Sequence, residues 1–347
     1  MPRTVLEMVA MTSHDDGPRL RWGVLGAGKI AAVFVADALS AGIDVAAVGA
    51  RDGSRAAAFA ERFGIRSTFG SYEELCASPE VDVIYVATPQ AFHAEQALLA
   101  IAAGKHVLVE KAFTTDAAST RRVLEAARAA GVVVLEAMWT RFTPTMREVR
   151  TRVERGDLGA LRAVRTAHHQ KLDLSPTGRH GDPALAGGAL LDLGVYAFAL
   201  AIDLLGEPAE VIARGRLDGA GVDLALSVLL DYPSLGAQAS LQVSMAGPGP
   251  NDATILGDGG WIHLDAPYFT WTPFQRYDAS RPSRLVEEWT PTDCGAEGSP
   301  YSSRGMQFQA LELERCVAAG LLESPLMPHT HTLSVMAAMD AARAQLR

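Results

Sequence analysis

The sequence predicts an α/β chain: an N-terminal doubly wound parallel sheet, then an α+β domain with an open, mainly antiparallel sheet. Three observations predict it. Short apolar runs alternate with helical patterns through the first 138 residues, as in a parallel sheet buried on both faces. The first such run passes through Gly26-Ala27-Gly28-Lys29-Ile30-Ala31 into the first helical pattern. Beyond residue 209 strand-like runs follow one another across short turns, the connection of an antiparallel sheet.

Taken in order, 21–25 reads as a strand and 30–39 as a helix. Residues 45–50 form an apolar run, and 54–63 a helix with Ser54 as cap and Gly64 as stop. The strand 81–86 ends in Thr88-Pro89, and the helix 93–103 stops at Gly104. The strand 105–109 ends at Glu110-Lys111, the helix 115–130 carries Asp116 in its first turn, and the strand 132–135 leads into Glu136. The second half opens with a helix at 141–154, a long strand at 161–174 and a helix at 190–205. Strands follow at 209–216, 222–231, 237–243, 253–256 and 261–264. Residues 266–301, rich in Pro, Thr, Ser and aromatics, read as long loops, and helices at 306–319 and 332–345 close the chain. The division is 1–18 as a tail, 19–138 as the first domain and 139–347 as the second.

The glycine turn has the G-x-G-x-x-A form that cradles a dinucleotide. Gly26 turns tightly off the strand, Gly28 lets a pyrophosphate approach the backbone, and Ala31 lets the helix pack close on the sheet. The helix start then offers free N–H groups and the positive end of its dipole to the phosphates. Ligands of such sheets lie beyond the carboxyl ends of the strands, where Gly26, Arg51, Thr88, Lys111 and Glu136 all fall. The second strand ends in Arg51-Asp52-Gly53-Ser54-Arg55. A cation there receives a ribose 2′-phosphate, whereas an acid would select the 2′-hydroxyl. Arg51, with Ser54 and Arg55 behind it, points to NADP over NAD, and Asp52 is the competing signal.

Composition narrows the classes. With 48% hydrophobic and 20% charged residues, 347 residues build a sizeable core. A net charge of −9 argues against nucleic-acid and anionic-membrane surfaces. No apolar run is read as reaching a bilayer span. Residues 1–17, with the acidic pair Asp15-Asp16, make a poor signal peptide and read as a loose tail, Met11 being a candidate start. Cys76, Cys294 and Cys316 are scattered and odd in number, which fits a reducing cytoplasm and no zinc site. His168 and His169 alternate across a strand, and His329 and His331 lack a third partner nearby in sequence, so no metal is expected.

Carbonyl reduction needs a proton donor beside the hydride. Lys111 ends a strand over the cofactor edge, and Asp192 and Tyr196 stand four apart on the glycine-opened helix that follows Gly187-Gly188. Taken singly, Asp192 reads as a dipole partner and Tyr196 as core. Together, next to a cofactor-binding half, they read as a relay.

These stretches resemble the glucose–fructose oxidoreductase, inositol dehydrogenase and rhizopine-catabolism family, and within it the dihydrodiol and D-xylose dehydrogenase branch. The resemblance rests on 26–31, on Ala87-Thr88-Pro89-Gln90-Ala91-Phe92-His93, on Glu110-Lys111, on 136–142 and on 187–196. It implies an N-terminal Rossmann domain, a C-terminal domain whose open sheet faces a partner subunit, and NADP as the usual cofactor. It makes Lys111 the catalytic lysine, with Asp192 and Tyr196 as the helix pair. It adds Thr88, Pro89, His93 and Glu110 to the cofactor-binding set of Gly26, Gly28, Lys29, Ile30, Arg51, Ser54, Arg55 and Lys111. The chain departs from the family's Glu-Lys-Pro in having Ala112, which predicts a looser or displaced Lys111, since a cis bond before alanine costs about 2.5–4 kcal/mol. A lysine ammonium near Tyr196 is expected to pull its pKa down.

Trp139, Phe142, His168, Arg179 and Trp261 are the expected substrate contacts, aromatics suiting a sugar, polyol or ring diol. The expected activity is therefore an NADP-dependent oxidoreductase acting on CH–OH groups. The competing class is a non-catalytic dinucleotide-binding regulator of the same fold, for which Ala112 is the argument. The strand series from residue 209 to 264, with few helices left to cover it, predicts a homodimer or a dimer of dimers.

Overall fold

The computed structural model describes residues 19–176, 178–291 and 304–347. The expected tail and Cys294 lie outside them. The first sheet is wholly parallel, in the order β3-β2-β1-β4-β5-β6. Its strands are β1 (Arg21–Leu25), β2 (Asp44–Gly49), β3 (Ser67–Phe69), β4 (Val83–Val86), β5 (His106–Glu110) and β6 (Val134–Ala137). Residues 83–86 are wholly buried and apolar, since helices cover both faces. These helices are α1 (Lys29–Ser40), α2 (Gly53–Phe63), α3 (Tyr72–Ala77), α4 (His93–Ala102) and α5 (Ala117–Ala130). β1 lies between β2 and β4, so the strand order reverses there and opens a crevice at their carboxyl ends.

A 3₁₀ turn, Trp139–Phe142, and α6 (Pro144–Glu154) lead into the second sheet, whose order is β14-β13-β12-β11-β7-β10-β9-β8. These strands are β7 (Leu161–His169), β8 (Glu210–Leu217), β9 (Asp223–Tyr232), β10 (Ala237–Ser244), β11 (Ala253–Gly257), β12 (Gly260–Leu264), β13 (Phe274–Asp278) and β14 (Leu285–Trp289). Only β7 and β10 pair in parallel. One face is covered by α7 (Val195–Leu205) and α9 (His329–Arg343), which pack on each other. The last helices also bind the first half. Trp22 Nε1 donates to Glu314 on α8 (Gln307–Ala318) at 2.8 Å, and the Ala117 N–H donates to Asp340 on α9 at 2.8 Å.

Several expectations need correction. The strand expected to run to residue 174 stops at His169. The expected long loops hold β13, paired onto β12, and β14, paired onto β13, by backbone hydrogen bonds that need no apolar alternation. The helix expected from Leu190 opens as a wider π turn, Leu190–Gly194. Pro183–Leu205 is long and apolar enough to cross a bilayer, contrary to the sequence reading, but 78% of that window is buried inside the fold.

Candidate active site

The glycine turn is built as its sequence demands. Gly26 has φ +109°, and a Cβ there would stand 3.1 Å from the Ala87 carbonyl oxygen, so only glycine fits. A Cβ at Gly28 would meet open space, leaving room for a phosphate against the backbone. No side chain caps α1, whereas Asp52 caps α2 and Asp116 caps α5. Its first N–H groups are thus free for an anion. Lys29 is exposed beside them and Ile30 half-buried.

A cavity of ≈ 550 Å³ lies beyond the carboxyl ends of β2 and β4, lined by Arg51, Thr88, Pro89 and Phe92. The Arg51 guanidinium lies 5.9 Å from the Phe92 ring centroid. The competing acid is occupied, for Asp52 accepts from the Ser54 N–H at 2.9 Å and from its hydroxyl at 2.6 Å. Arg55 is exposed one residue on.

At the far end of the crevice a second cavity, of ≈ 160 Å³, joins the two halves of the chain. Of the expected residues it brings together Ile30, Lys111, Trp139, His168, Asp192 and Tyr196. Lys111 Nζ donates to the Asp192 carbonyl at 2.7 Å, inside the π turn, and to its carboxylate at 3.2 Å. Such turns often mark functional sites. Burial opposes charge on both partners but the pairing wins. The Lys111 pKa stands above its ordinary value, and that of Asp192 is held at about 2 by Lys111, Arg179 and His180. Arg179 reaches the same carboxylate from outside, at 3.2 Å, and His180 at 3.4 Å.

Tyr196 is 9% exposed. Its hydroxyl accepts from Trp139 Nε1 at 3.1 Å, and Lys111 Nζ lies 4.7 Å from its ring centroid. Burial raises its pKa, with Lys111 pulling the other way. The expected net lowering is therefore corrected, because desolvation outweighs the ammonium, which sits over the ring. His168 stacks on Phe269 with centroids 4.3 Å apart, and burial pushes its pKa down to about 3, so it is neutral.

Beneath the cavity lies a buried support. His93 is 1% exposed, with Nε2 2.8 Å from the Thr88 carbonyl and Nδ1 2.9 Å from that of Ala112. Burial pulls its pKa down to about 4, and a neutral imidazole donates to only one of them. His93 thus stands under the turn after Lys111. Tyr85 donates to the buried Glu110 at 2.6 Å. The Lys111–Ala112 peptide bond is cis. Lys111 is not loose, as Ala112 had suggested: it is 8% exposed, held by Asp192, and Ala112 is fully buried.

Two expected substrate contacts lie elsewhere. Phe142 is fully buried in the core. Trp261 points to the opposite face of the second sheet from buried Ile262 and stacks on Tyr277 at 4.0 Å. Sequence reasoning missed Gln170, Phe269, Arg304 and Met306, which line the cavity. One signal was available. Asp37 is a lone acid on the apolar helix α1, and its carboxylate accepts the N–H groups of Arg304 at 2.9 Å and Met306 at 3.0 Å.

Residues 20–138 match the family model described as oxidoreductase family, NAD-binding Rossmann fold, and residues 146–263 match the GFO/IDH/MocA C-terminal domain. Trans-1,2-dihydrobenzene-1,2-diol dehydrogenase of Mus musculus is 36% identical over 330 residues, covering 93% of this chain and 96% of that protein. The Homo sapiens protein of the same name is 34% identical, covering 89% and 91%. Among solved structures, a 3-ketoreductase from Actinomadura kijaniata in complex with NADP and TDP-benzene aligns with a TM-score of 0.82 at 25% identity, over 95% of this chain and 98% of that one. Both halves match in order, the glycine turn and the lysine–tyrosine cavity stand where two such domains meet, and the chain belongs to the GFO/IDH/MocA oxidoreductase family.

Proposed function

We propose that this chain is an NADP-dependent dehydrogenase or reductase that moves a hydride between NADP and a CH–OH or carbonyl carbon of a sugar, polyol or cyclic diol. The observation that carries this reading is the meeting of Lys111, Asp192, Tyr196 and Trp139 in one cavity at the end of the dinucleotide crevice. The names of the aligned dihydrodiol dehydrogenases and of the NADP-bound ketoreductase support it. In this reading residues 19–138 hold the cofactor and 139–347 carry the substrate pocket and the partner surface.

Gly28, the uncapped start of α1 and Arg51 fit a dinucleotide with a 2′-phosphate. Bound NADP supplies the hydride donor or acceptor. In reduction the Tyr196 hydroxyl gives its proton to the forming alkoxide. Trp139 already donates to the phenol oxygen, so the phenolic hydrogen is directed away from Trp139, toward the cavity. The phenolate left behind is stabilised by that N–H and by the Lys111 ammonium over the ring. In oxidation the same phenolate takes the substrate proton. Asp192, ionised at any working pH, keeps Lys111 charged and in place. The test is reduction of NADP and of NAD, followed by nicotinamide absorbance, over a panel of sugars, polyols and ring diols. Turnover with NADP on members of that panel supports the reading, and none on any of them rejects it.

The partner is proposed to be a second copy, docked on the uncovered face of the second sheet. That face carries the Trp261–Tyr277 stack with Leu256 beside it, among polar Gln238, Ser240 and Gln242. A cytoplasmic location is proposed from Cys76 and Cys316, both free and buried.

A further inference from the structure

The cavity is unevenly charged. Its single acid, Asp192, is already shared by Lys111, Arg179 and His180. Arg304 also lines the cavity, next to Ile30 and Met306. Arg304 is exposed, and among the described residues its guanidinium makes no ion pair. Its backbone is fixed: the Arg304 N–H donates to Asp37 at 2.9 Å, and that carboxylate, 1% exposed, also takes the Met306 N–H at 3.0 Å. An exposed cation whose backbone is held by a buried anchor at the edge of the cavity is placed to receive an anion. The other polar lining groups bring no charge: His168 and Gln170 bond each other at 2.9 Å, and Trp139 donates to Tyr196. The cavity, at ≈ 160 Å³, has the volume of about five waters, which admits a ring of monosaccharide size with one substituent toward the mouth.

We infer that Arg304 anchors a carboxylate or phosphate carried by the hydroxyl-bearing substrate, so that the preferred substrates are acidic sugars or polyols. The inference rests on the proposed reading of this cavity as the substrate site. A guanidinium paired with that anion discriminates a charged substrate from its neutral analogue by about ten- to a hundredfold in affinity.

The test is calorimetric titration of the full chain, with saturating NADP, using D-glucose, D-glucuronate and D-glucose 6-phosphate. At least one charged probe should bind about ten- to a hundredfold tighter than D-glucose. Added salt should erode the difference, and Arg304→Ala should abolish it. Equal affinities in the parent protein, or no binding by either charged probe, overturn the inference. So does a fall in NADP affinity in Arg304→Ala as large as the fall for the charged probe, since the cofactor's diphosphate would then be the partner. The titration needs no turnover. Binding of acids through Arg304 with no turnover of any sugar, polyol or ring diol rejects the proposed reaction and keeps this inference, whereas turnover of neutral diols with no preference for acids does the reverse.

Discussion

Trp139 Nε1 donates to the Tyr196 hydroxyl oxygen at 3.1 Å, and this bond lowers the Tyr196 pKa against the burial that raises it. The two residues lie far apart in the chain: Trp139 follows the last parallel strand and Tyr196 stands in the first turn of the helix under the second sheet. The bond orients the phenol and stabilises its anion. Trp139→Phe keeps a ring and removes the donor, so the Tyr196 pKa should rise. Oxidation, which needs phenolate, should then reach its plateau at higher pH, and turnover at neutral pH should fall about tenfold, the loss of one modest hydrogen bond. A pH–rate profile for oxidation that superimposes on that of the parent would count against the role.

Lys111 Nζ lies 4.7 Å from the Tyr196 ring centroid, and the proposed mechanism makes the two one unit. Lys111→Met should remove most turnover, and because it strips a buried partner from Asp192 it should also lower thermal stability. Arg179 and His180 remain near the carboxylate and limit that loss. The double variant with Tyr196→Phe should lose less than the product of the single losses. Multiplicative losses in kcat would mean two independent contributions.

Arg51→Ala should weaken NADP far more than NAD, by about 1.5–3 kcal/mol, the value of a charge-assisted hydrogen bond. Asp52→Ala should act mainly on stability, since its carboxylate caps α2. Titration of both cofactors into each variant separates the two roles, and equal losses for NADP and NAD in Arg51→Ala would remove Arg51 from cofactor selection.

Much of this was legible in the sequence, for local reasons. The parallel strands are continuous apolar runs because both their faces are buried, and the glycine turn announces its own backbone. Lys111, Asp192 and Tyr196, singled out by strand-end and helix-face positions and given roles by the family resemblance, meet in one cavity. What escaped depends on partners distant in the chain. β3 is three residues long and β14 mostly exposed, and both are defined by pairing with neighbours. Phe269 and Arg304 lie on irregular segments tied down by residues distant in the chain, the first through the Tyr268 N–H to the Asn251 carbonyl and the second through its own N–H to Asp37. Trp261 and Phe142 were misplaced because an aromatic's sequence position does not reveal which face of a sheet, or which layer of the core, it enters. The Tyr196 pKa was misjudged because burial is a property of the whole fold.

Glu136 offers a test of that last point outside the site. It is 2% exposed, and burial lifts its pKa from 4.5 to about 7, with Glu110 adding repulsion. Thr332 and the Phe113 N–H approach the carboxyl, but neither oxygen attains a well-formed hydrogen bond. A carboxyl with a raised folded pKa binds its proton more tightly when folded, so stability falls as pH rises from the unfolded pKa through the folded one. Glu136→Gln should therefore flatten the loss of stability between pH 4.5 and about 7. Above that window it should be the more stable protein by roughly 3 kcal/mol, an order-of-magnitude figure. Urea unfolding of both proteins across the range reads this directly, and parallel stability curves would show that Glu136 does not titrate there.

The proton transfer proposed for Tyr196 is isolated by Tyr196→Phe. The substitution keeps the ring beneath Lys111 and removes only the hydroxyl. NADP affinity, measured by titration, should be unchanged, while turnover, with hydride transfer shown to be rate-limiting by deuterated substrate, should fall about a hundred- to ten-thousandfold. A phenylalanine variant that keeps the parental rate under the same isotope criterion would make Tyr196 a packing residue and contradict the account.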